Sequence, residues 1–198
     1  MKILILTLAL GSSVFAQTPT EVKGHSIGES ADDFYTKAGR PNLVAECRSA
    51  GSDKKAAKKL KVDFKMCQAV LASESGSRVF TTDPKFARGD TAILDGGKLA
   101  AVRLEFSKDF SEILPQLTEK YGKPQTLTSE TLQNGFGARF EVGRASWAMP
   151  DGAVISVVES IVHGDTVGDF RVTEVTFSSK EEVARAEAKK KNVPNAFN

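Results

Sequence analysis

One five-residue stretch of this sequence has the residue types of a covalent catalyst. Residues 24–28, Gly-His-Ser-Ile-Gly, match the G-x-S-x-G pattern, in which a strained turn from a strand into a helix exposes a serine nucleophile. Such a serine needs a histidine as general base and an acidic residue that orients the histidine. Ser26, Asp151 and His163 follow one another in the order that this kind of turn uses. They define the candidate triad of a small serine hydrolase.

The residues before this motif do not favour that chemistry. The turn normally follows a buried strand, but residues 18–23 include Pro19, Glu21 and Lys23, which are unfavourable in such a strand. Too little chain precedes Gly24 to supply an upstream loop for an oxyanion hole. We therefore predict a protein that is not an enzyme and has no catalytic residues, with a hydrolase that uses Ser26 as the alternative.

Residues 163–169, His-Gly-Asp-Thr-Val-Gly-Asp, suggest a second kind of site, a calcium loop. That loop requires an acidic or amide ligand at its third position and a glutamate at its twelfth, but counting from Asp165 gives Val167 and Thr176. Glycine and aspartate in this order are typical of a hairpin turn. We expect no metal site and no cofactor.

The sequence contains two cysteines, Cys47 and Cys67, whose separation is too long for a C-x-x-C redox or zinc pair. In an oxidising compartment an even number of cysteines favours a disulfide, and two buried free thiols are the alternative. We therefore predict that Cys47 and Cys67 form a disulfide that closes the intervening segment.

Positive charge is concentrated between these two cysteines. The whole chain has 27 basic and 25 acidic residues, but residues 54–65 contain six lysines against the single acidic residue Asp63. Concentrated positive charge attracts anionic polymers or lipid head groups at low salt. We predict an anionic contact here, and a solvated face without a partner is the alternative. The lysines are Lys54, Lys55, Lys58, Lys59, Lys61 and Lys65.

The beginning of the chain is typical of a secretory signal peptide. Lys2, the apolar residues 3–10 and the small residue Ala16 predict cleavage after residue 16, with Gln17 as the first mature residue. The apolar run is interrupted at Gly11 and is shorter than the ~20 residues that span a membrane. We expect a periplasmic or secreted protein without a transmembrane segment after cleavage. The near balance of charge argues against a nucleic-acid partner.

Capping signals and apolar spacing predict three helices. Ser30 can cap a helix over residues 31–38, which Gly39 ends. Apolar residues at helical spacing predict a helix over residues 110–121, although Pro115 implies that it starts one or two residues late or kinks. A third helix, capped by Ser179, extends to about residue 191.

The intervening segments alternate apolar and polar residues, which is typical of half-buried strands. Asp-Gly and Asn-Gly pairs between them supply hairpin turns. We therefore expect an α+β fold, an antiparallel meander with the 110–121 helix on one face. Residues 17–26 form a loose lead-in and residues 27–198 a single domain. The predicted strands are 90–95, 98–106, 125–132, 136–149, 153–162 and 169–177.

The run Ile-Gly-Glu-Ser at 27–30, the helix after it and Gly-Arg-Pro at 39–41 resemble the opening of small exported modules of the outer-membrane assembly lipoprotein type (SmpA/OmlA-like). The resemblance implies a fold like that of the β-lactamase inhibitor proteins, used for protein contact. The lipid-bearing cysteine of that family is absent, since Gln17 stands in its place, so membrane assembly does not carry over.

A second Gly-x-Pro sequence at residues 122–124 follows a helix in the same way and suggests two related helix-plus-strands units, 27–106 and 107–198. For function, we expect a non-enzymatic exported module that binds a protein or a cell-envelope component. An envelope protein that binds anionic surfaces through its lysines is a further alternative.

Overall fold

The computed structural model describes residues 19–133, 137, 139–164 and 168–191. The predicted signal peptide and the predicted start at Gln17 lie outside these residues. The described strands are β1 (Glu21–Val22), β2 (His25–Ser26), β3 (Val79–Thr81), β4 (Thr91–Asp95), β5 (Lys98–Phe106), β6 (Thr126–Gln133), β7 (Arg139–Ala148), β8 (Val154–Gly164) and β9 (Gly168–Ser178). The described helices are α1 (Ala31–Lys37), α2 (Leu43–Ala50), α3 (Lys54–Lys59), α4 (Phe64–Glu74), α5 (Phe110–Tyr121) and α6 (Lys180–Lys191).

The fold is α+β, as the sequence predicts, and is built on a seven-stranded sheet in the order β3-β4-β5-β9-β8-β7-β6. Every neighbouring pair is antiparallel. The predicted meander holds for β6 to β9, but it is interrupted after β5. There α5 carries the chain to the far edge of the sheet, where β6 begins, and β9 returns to pair with β5.

Ser30 caps α1 as the sequence predicts, whereas α5 begins earlier than predicted. Ser30 Oγ accepts a hydrogen bond from Asp33 N at 3.0 Å and donates one to the Asp33 carboxylate at 2.7 Å. Helix α5 begins at Phe110, earlier than the proline suggests, and includes Pro115. Pro115 is the sixth of the twelve residues of α5, so the helix continues past it without the hydrogen bond that another residue there would donate to the carbonyl of Ser111.

One apolar core connects the sheet with α1, α2, α4 and α5. Trp147 of β7 is buried in it, and its Nε1 donates a hydrogen bond to the carbonyl of Gly122 at the end of α5, at 2.7 Å. At the other end of α5 the Phe110 ring packs on Gly143, where a Cβ atom would lie 2.2 Å from the ring. These two contacts fix both ends of α5 over β7.

The segment before α1 differs from the predicted loose lead-in. Strands β1 and β2 form a hairpin, with Glu21 paired to Ser26 and Val22 paired to His25. Val22 and His25 are both buried. Polar composition suggested a loose segment, but polar groups in and next to this hairpin form hydrogen bonds with side chains elsewhere in the chain.

One of these partners gives the fold a dependence on pH. The Asp151 carboxylate accepts hydrogen bonds from Thr20 Oγ1 at 3.1 Å and Ala153 N at 3.0 Å, and also from Thr20 N. Burial raises the pKa of Asp151, but the hydrogen bonds outweigh burial and lower its pKa overall. Ionised Asp151 therefore stabilises the fold above the pKa it has in the unfolded chain. This contribution is lost as pH falls through the folded-state pKa.

We therefore expect Asp151→Asn to be less stable than the wild type near neutral pH, and the difference between the two melting temperatures to shrink as the pH is lowered toward about 3. Thermal melts across this range measure the difference. A difference that stays constant down to that pH would show that the Asp151 carboxylate does not contribute through its charge.

Candidate functional site

Ser26 does not lie in the turn that a hydrolase requires. It belongs to β2, and the chain continues to Gly28, whose amide donates to the carbonyl of Leu99 at 2.8 Å. Ser26 thus lies in the second strand of a hairpin, and the turn that leads toward α1 comes after it, at Ile27 and Gly28. Asp151, the acid of the candidate triad, is engaged with Thr20 and Ala153. His163 has its backbone in β8, and its side chain lies outside the described part of the chain.

The histidine inside this motif, His25, takes part in a buried cluster with two carboxylates that the sequence pattern does not indicate. Its side chain is 1% exposed and lies between two carboxylates, with Nδ1 2.7 Å from Glu29 Oε1 and Nε2 2.8 Å from Asp83 Oδ2. Ionised carboxylates only accept hydrogen bonds, so beside two ionised carboxylates both ring nitrogens have to donate. Each nitrogen of His25 thus has one carboxylate oxygen within hydrogen-bond distance. Lys37 Nζ also contacts Glu29, at 2.5 Å.

The His25 cluster is enclosed, which separates it from a catalytic arrangement. The rings of Phe34 and Phe86 pack on the imidazole, with centroid distances of 4.5 and 5.7 Å. A general base must come within hydrogen-bond reach of a substrate proton, whereas both nitrogens of His25 are already bonded. The cluster instead ties β2 and the start of α1 to the turn at Asp83.

The predicted disulfide is present between Cys47 of α2 and Cys67 of α4, and both cysteines are fully buried. The chain between them forms α3 and the turn that leads into α4. We call residues 53–66 the lysine cap. Its six lysines, Lys54, Lys55, Lys58, Lys59, Lys61 and Lys65, are all exposed.

A different surface lies at the far edge of the sheet. Within the described sheet β6 pairs with β7 alone, and all eight residues of β6 are exposed. Two of them are large and apolar, since Leu127 is 56% and Leu132 is 40% exposed. The opposite edge strand, β3, has only three residues. Strand β6 is therefore the long open edge of this sheet.

A groove of about 610 Å³ lies beside β6, where α5 covers β7 and β8 but leaves β6 open. Its apolar lining comes from Phe110 and Leu114 of α5, Leu127 of β6 and Val142 of β7. Three carboxylates and one guanidinium also line it. These charged residues are Asp109, Glu141, Glu159 and Arg171.

Glu159 holds the inner end of this groove together. It is buried, and its carboxylate accepts hydrogen bonds from Phe110 N at 3.3 Å and Gly143 N at 3.2 Å. Arg171 Nη1 lies 3.1 Å from the same carboxylate. Asp109 is the N-cap residue of α5 but makes no capping hydrogen bond with its side chain. The carboxylate of Asp109 is therefore exposed at the outer end of the groove and is not used for helix capping.

Two further findings concern only the described residues. They include no group of three or more histidine, cysteine, aspartate or glutamate side chains placed to hold a metal ion. None of the described helices is long and apolar enough to cross a membrane. The turn at residues 165–167, where the sequence favours a hairpin over a calcium loop, lies outside them, and Gly164 and Gly168 pair on either side of it.

No protein-family model, curated protein or solved structure matches this chain. The resemblance of residues 27–41 to the SmpA/OmlA-like opening stays a prediction. The basis for a functional inference is therefore the surface itself, namely the β6 edge, its groove and the lysine cap.

Proposed function

We propose that this protein is an exported, non-enzymatic module that binds a partner protein, and that an extended segment of the partner adds to β6 as a further strand. The observation that carries the proposal is the exposure of β6 along its full length. An edge strand presents the amide and carbonyl groups of alternate residues to solvent, and these groups recruit another strand. The short edge strand β3 offers far fewer such groups.

The apolar residues of β6 favour a different protein over a second copy of this chain. When two copies of one strand pair antiparallel about a two-fold axis, side chains of the same face lie opposite each other. Leu127 and Leu132 are an odd number of residues apart, so alternation places them on opposite faces. Neither leucine can then pair with the other across the axis. Each could lie opposite only its own copy, in a register that leaves the other leucine without an apolar partner, so two β6 strands have no register that pairs both leucines.

The charges of the groove indicate what the partner segment contains. Three carboxylates against the single guanidinium of Arg171 give the groove an excess of negative charge around its apolar lining. A lysine or arginine side chain fits this combination, because its methylene stem packs on apolar groups while its charge meets the carboxylates. We therefore expect an extended segment in which basic and apolar side chains alternate.

Two other features support an exported binding module. A buried disulfide is typical of proteins that fold outside the reducing cytosol. The residues with catalytic side chains have structural positions, with Ser26 in a hairpin and His25 bonded at both nitrogens.

The test uses proline substitutions at two neighbouring positions of β6, Thr128→Pro and Ser129→Pro. Amide groups alternate along a strand, so one of these residues directs its N–H to β7 and the other directs it outward. The outward proline leaves the β7 ladder intact but removes a donor and blocks the edge, whereas the inward proline breaks the ladder. Thermal melting distinguishes the two variants, because the inward proline should lower the melting temperature more than the outward proline.

The binding probe is a phage-displayed library of random peptides of about 12 residues, selected on the folded wild-type protein. We expect enriched peptides to be rich in alternating basic and apolar residues and to bind the stable proline variant at least about tenfold more weakly. Leu132→Ser, which leaves the backbone edge intact, serves as the control for a purely local loss of apolar surface. Enriched peptides that bind the stable proline variant as tightly as the wild type would refute strand addition, and so would a selection that enriches none.

A further inference from the structure

The lysine cap contains six lysines and only two acidic residues, Asp53 and Asp63, so it has an excess of four positive charges. Asp53 accepts a hydrogen bond from Lys55 N at 2.7 Å as the N-cap of α3, and Asp63 accepts one from Met66 N at 2.8 Å as the N-cap of α4. Both carboxylates thus face helix amides. Charged groups on the neighbouring elements are Arg40 before α2, Glu46 of α2, which borders a cavity with Lys61, and Arg48 and Glu74, which pair with each other.

An exposed apolar residue stands among these lysines. Leu60 follows α3 directly, is 40% exposed and is flanked by Lys59 and Lys61. Lys61 has a φ of 58°, so the chain turns sharply at this point and Leu60 lies at the bend. An apolar side chain surrounded by lysines is the combination that binds the interface of an anionic membrane, since the apolar group enters the acyl boundary while the ammonium groups meet the lipid phosphates.

The disulfide makes this surface rigid before anything binds. The disulfide joins α2 and α4 on the two sides of the cap, and Ala57 of α3 is fully buried. A surface already held in place loses little conformational freedom on binding. The repulsion between the lysines is likewise overcome when the protein folds. Binding therefore does not have to overcome it again.

We propose that the lysine cap is a second binding surface, independent of β6, which docks the protein on anionic phospholipid membranes with Leu60 inserted among the lipids. The exposed side chain of Leu60 favours a membrane as the partner over an anionic polymer such as a polysaccharide. A polymer would contact the ammonium groups and leave Leu60 without a role, whereas a membrane also buries its side chain.

The experiment is co-sedimentation with vesicles of phosphatidylcholine containing about 30 mol % phosphatidylglycerol, with pure phosphatidylcholine vesicles in parallel. We expect the wild type to bind only the anionic vesicles at about 50 mM salt and to bind far less at about 200 mM. Replacing Lys54, Lys55, Lys58 and Lys59 with glutamine should weaken binding by more than about 100-fold. The matched control replaces four exposed lysines elsewhere with glutamine and should change binding by less than about threefold. The control lysines are Lys108, Lys123, Lys180 and Lys189.

The variant Leu60→Ser separates the membrane from a polymer. It should bind the anionic vesicles about fivefold more weakly and bind dextran sulfate as the wild type does. A wild type that ignores anionic vesicles at low salt overturns the proposal, and so does a control variant that loses as much binding as the cap variant. Equal vesicle binding by Leu60→Ser and the wild type would overturn the insertion of Leu60 and leave a contact that is electrostatic alone. The proline variants of β6 that stay folded should bind vesicles normally, so the two proposals fail separately.

Discussion

Replacing His25 with leucine is expected to lower the free energy of unfolding by about 3–5 kcal/mol. The substitution removes both hydrogen bonds of the imidazole and leaves the carboxylate of Asp83, whose side chain is 0% exposed, with the hydrogen bond from Lys85 N alone. Glu29 is almost as buried and keeps only its contacts with Lys37 and Ser26 N. An uncompensated buried carboxylate costs far more than the loss of an ordinary contact. Urea unfolding of the two proteins measures the difference.

A second substitution distinguishes this electrostatic cause from a packing defect. In the wild type, Asp83→Asn weakens the bond to His25 and should destabilise the protein. In the His25→Leu background the same change removes the buried negative charge of Asp83, so it should stabilise the protein. Equal destabilisation in both backgrounds would mean that the His25 cluster is not ionic and that the loss comes from packing alone.

The parts of the fold that depend on local pattern could be predicted. Alternation of side chains predicted β5 at residues 98–106, where the structure has Lys98–Phe106, and helical spacing predicted α5 over Phe110–Tyr121. Both signals lie within a single element, so they do not depend on the rest of the chain. The β8–β9 hairpin was also predicted, although the two strands extend further toward their turn, to Gly164 and Gly168.

The position of each strand in the sheet could not be predicted in the same way. That β9 pairs with β5, and that β6 is left at the edge, depends on contacts between residues more than 60 positions apart, such as Leu104 and Val175. No local pattern encodes such a pairing, because many antiparallel orders would satisfy the same alternation. The main candidate binding surface therefore emerged only with the structure.

The His25 cluster was missed for a similar reason, although part of it left a signal. His25 and Glu29 are four residues apart, a spacing that the sequence displays, but Asp83 lies 58 residues further along the chain than His25. The hairpin that holds His25 is short and polar, which favoured a loose segment. Its stability comes from buried partners in other elements rather than from its own composition.

Helices α2, α3 and α4 and strand β3 were also not predicted. Helix α3 is the clearest case, since its sequence, Lys-Lys-Ala-Ala-Lys-Lys, places like charges four residues apart on one face. Such pairs disfavour an isolated helix, and a six-residue helix is too short to be stable alone. Tertiary contacts, including the burial of Ala57, overcome this local disadvantage.

Removing the disulfide is the second change with a large expected effect. The bond closes a loop with a sequence separation of 20 residues, and in the chain-entropy model such a closure stabilises the fold by about 3 kcal/mol. We expect reduced wild type to lose about this much free energy of unfolding. The double variant Cys47→Ala and Cys67→Ala should lose somewhat more, because both side chains are fully buried and their removal leaves a cavity. Urea unfolding with and without reductant measures both.

Salt separates the chain-entropy effect from charge repulsion within the lysine cap. The like-charged pairs of α3, Lys54 with Lys58 and Lys55 with Lys59, oppose the helix whether or not the disulfide is present. Without the covalent link, α3 should open separately from the rest of the fold, and the lysines then relieve their repulsion by moving apart. High salt screens this repulsion, so salt should protect the α3 amides of the reduced protein against hydrogen exchange more than those of the oxidised protein. Equal protection by salt in the two forms would show that the disulfide does not hold α3 against its own charge.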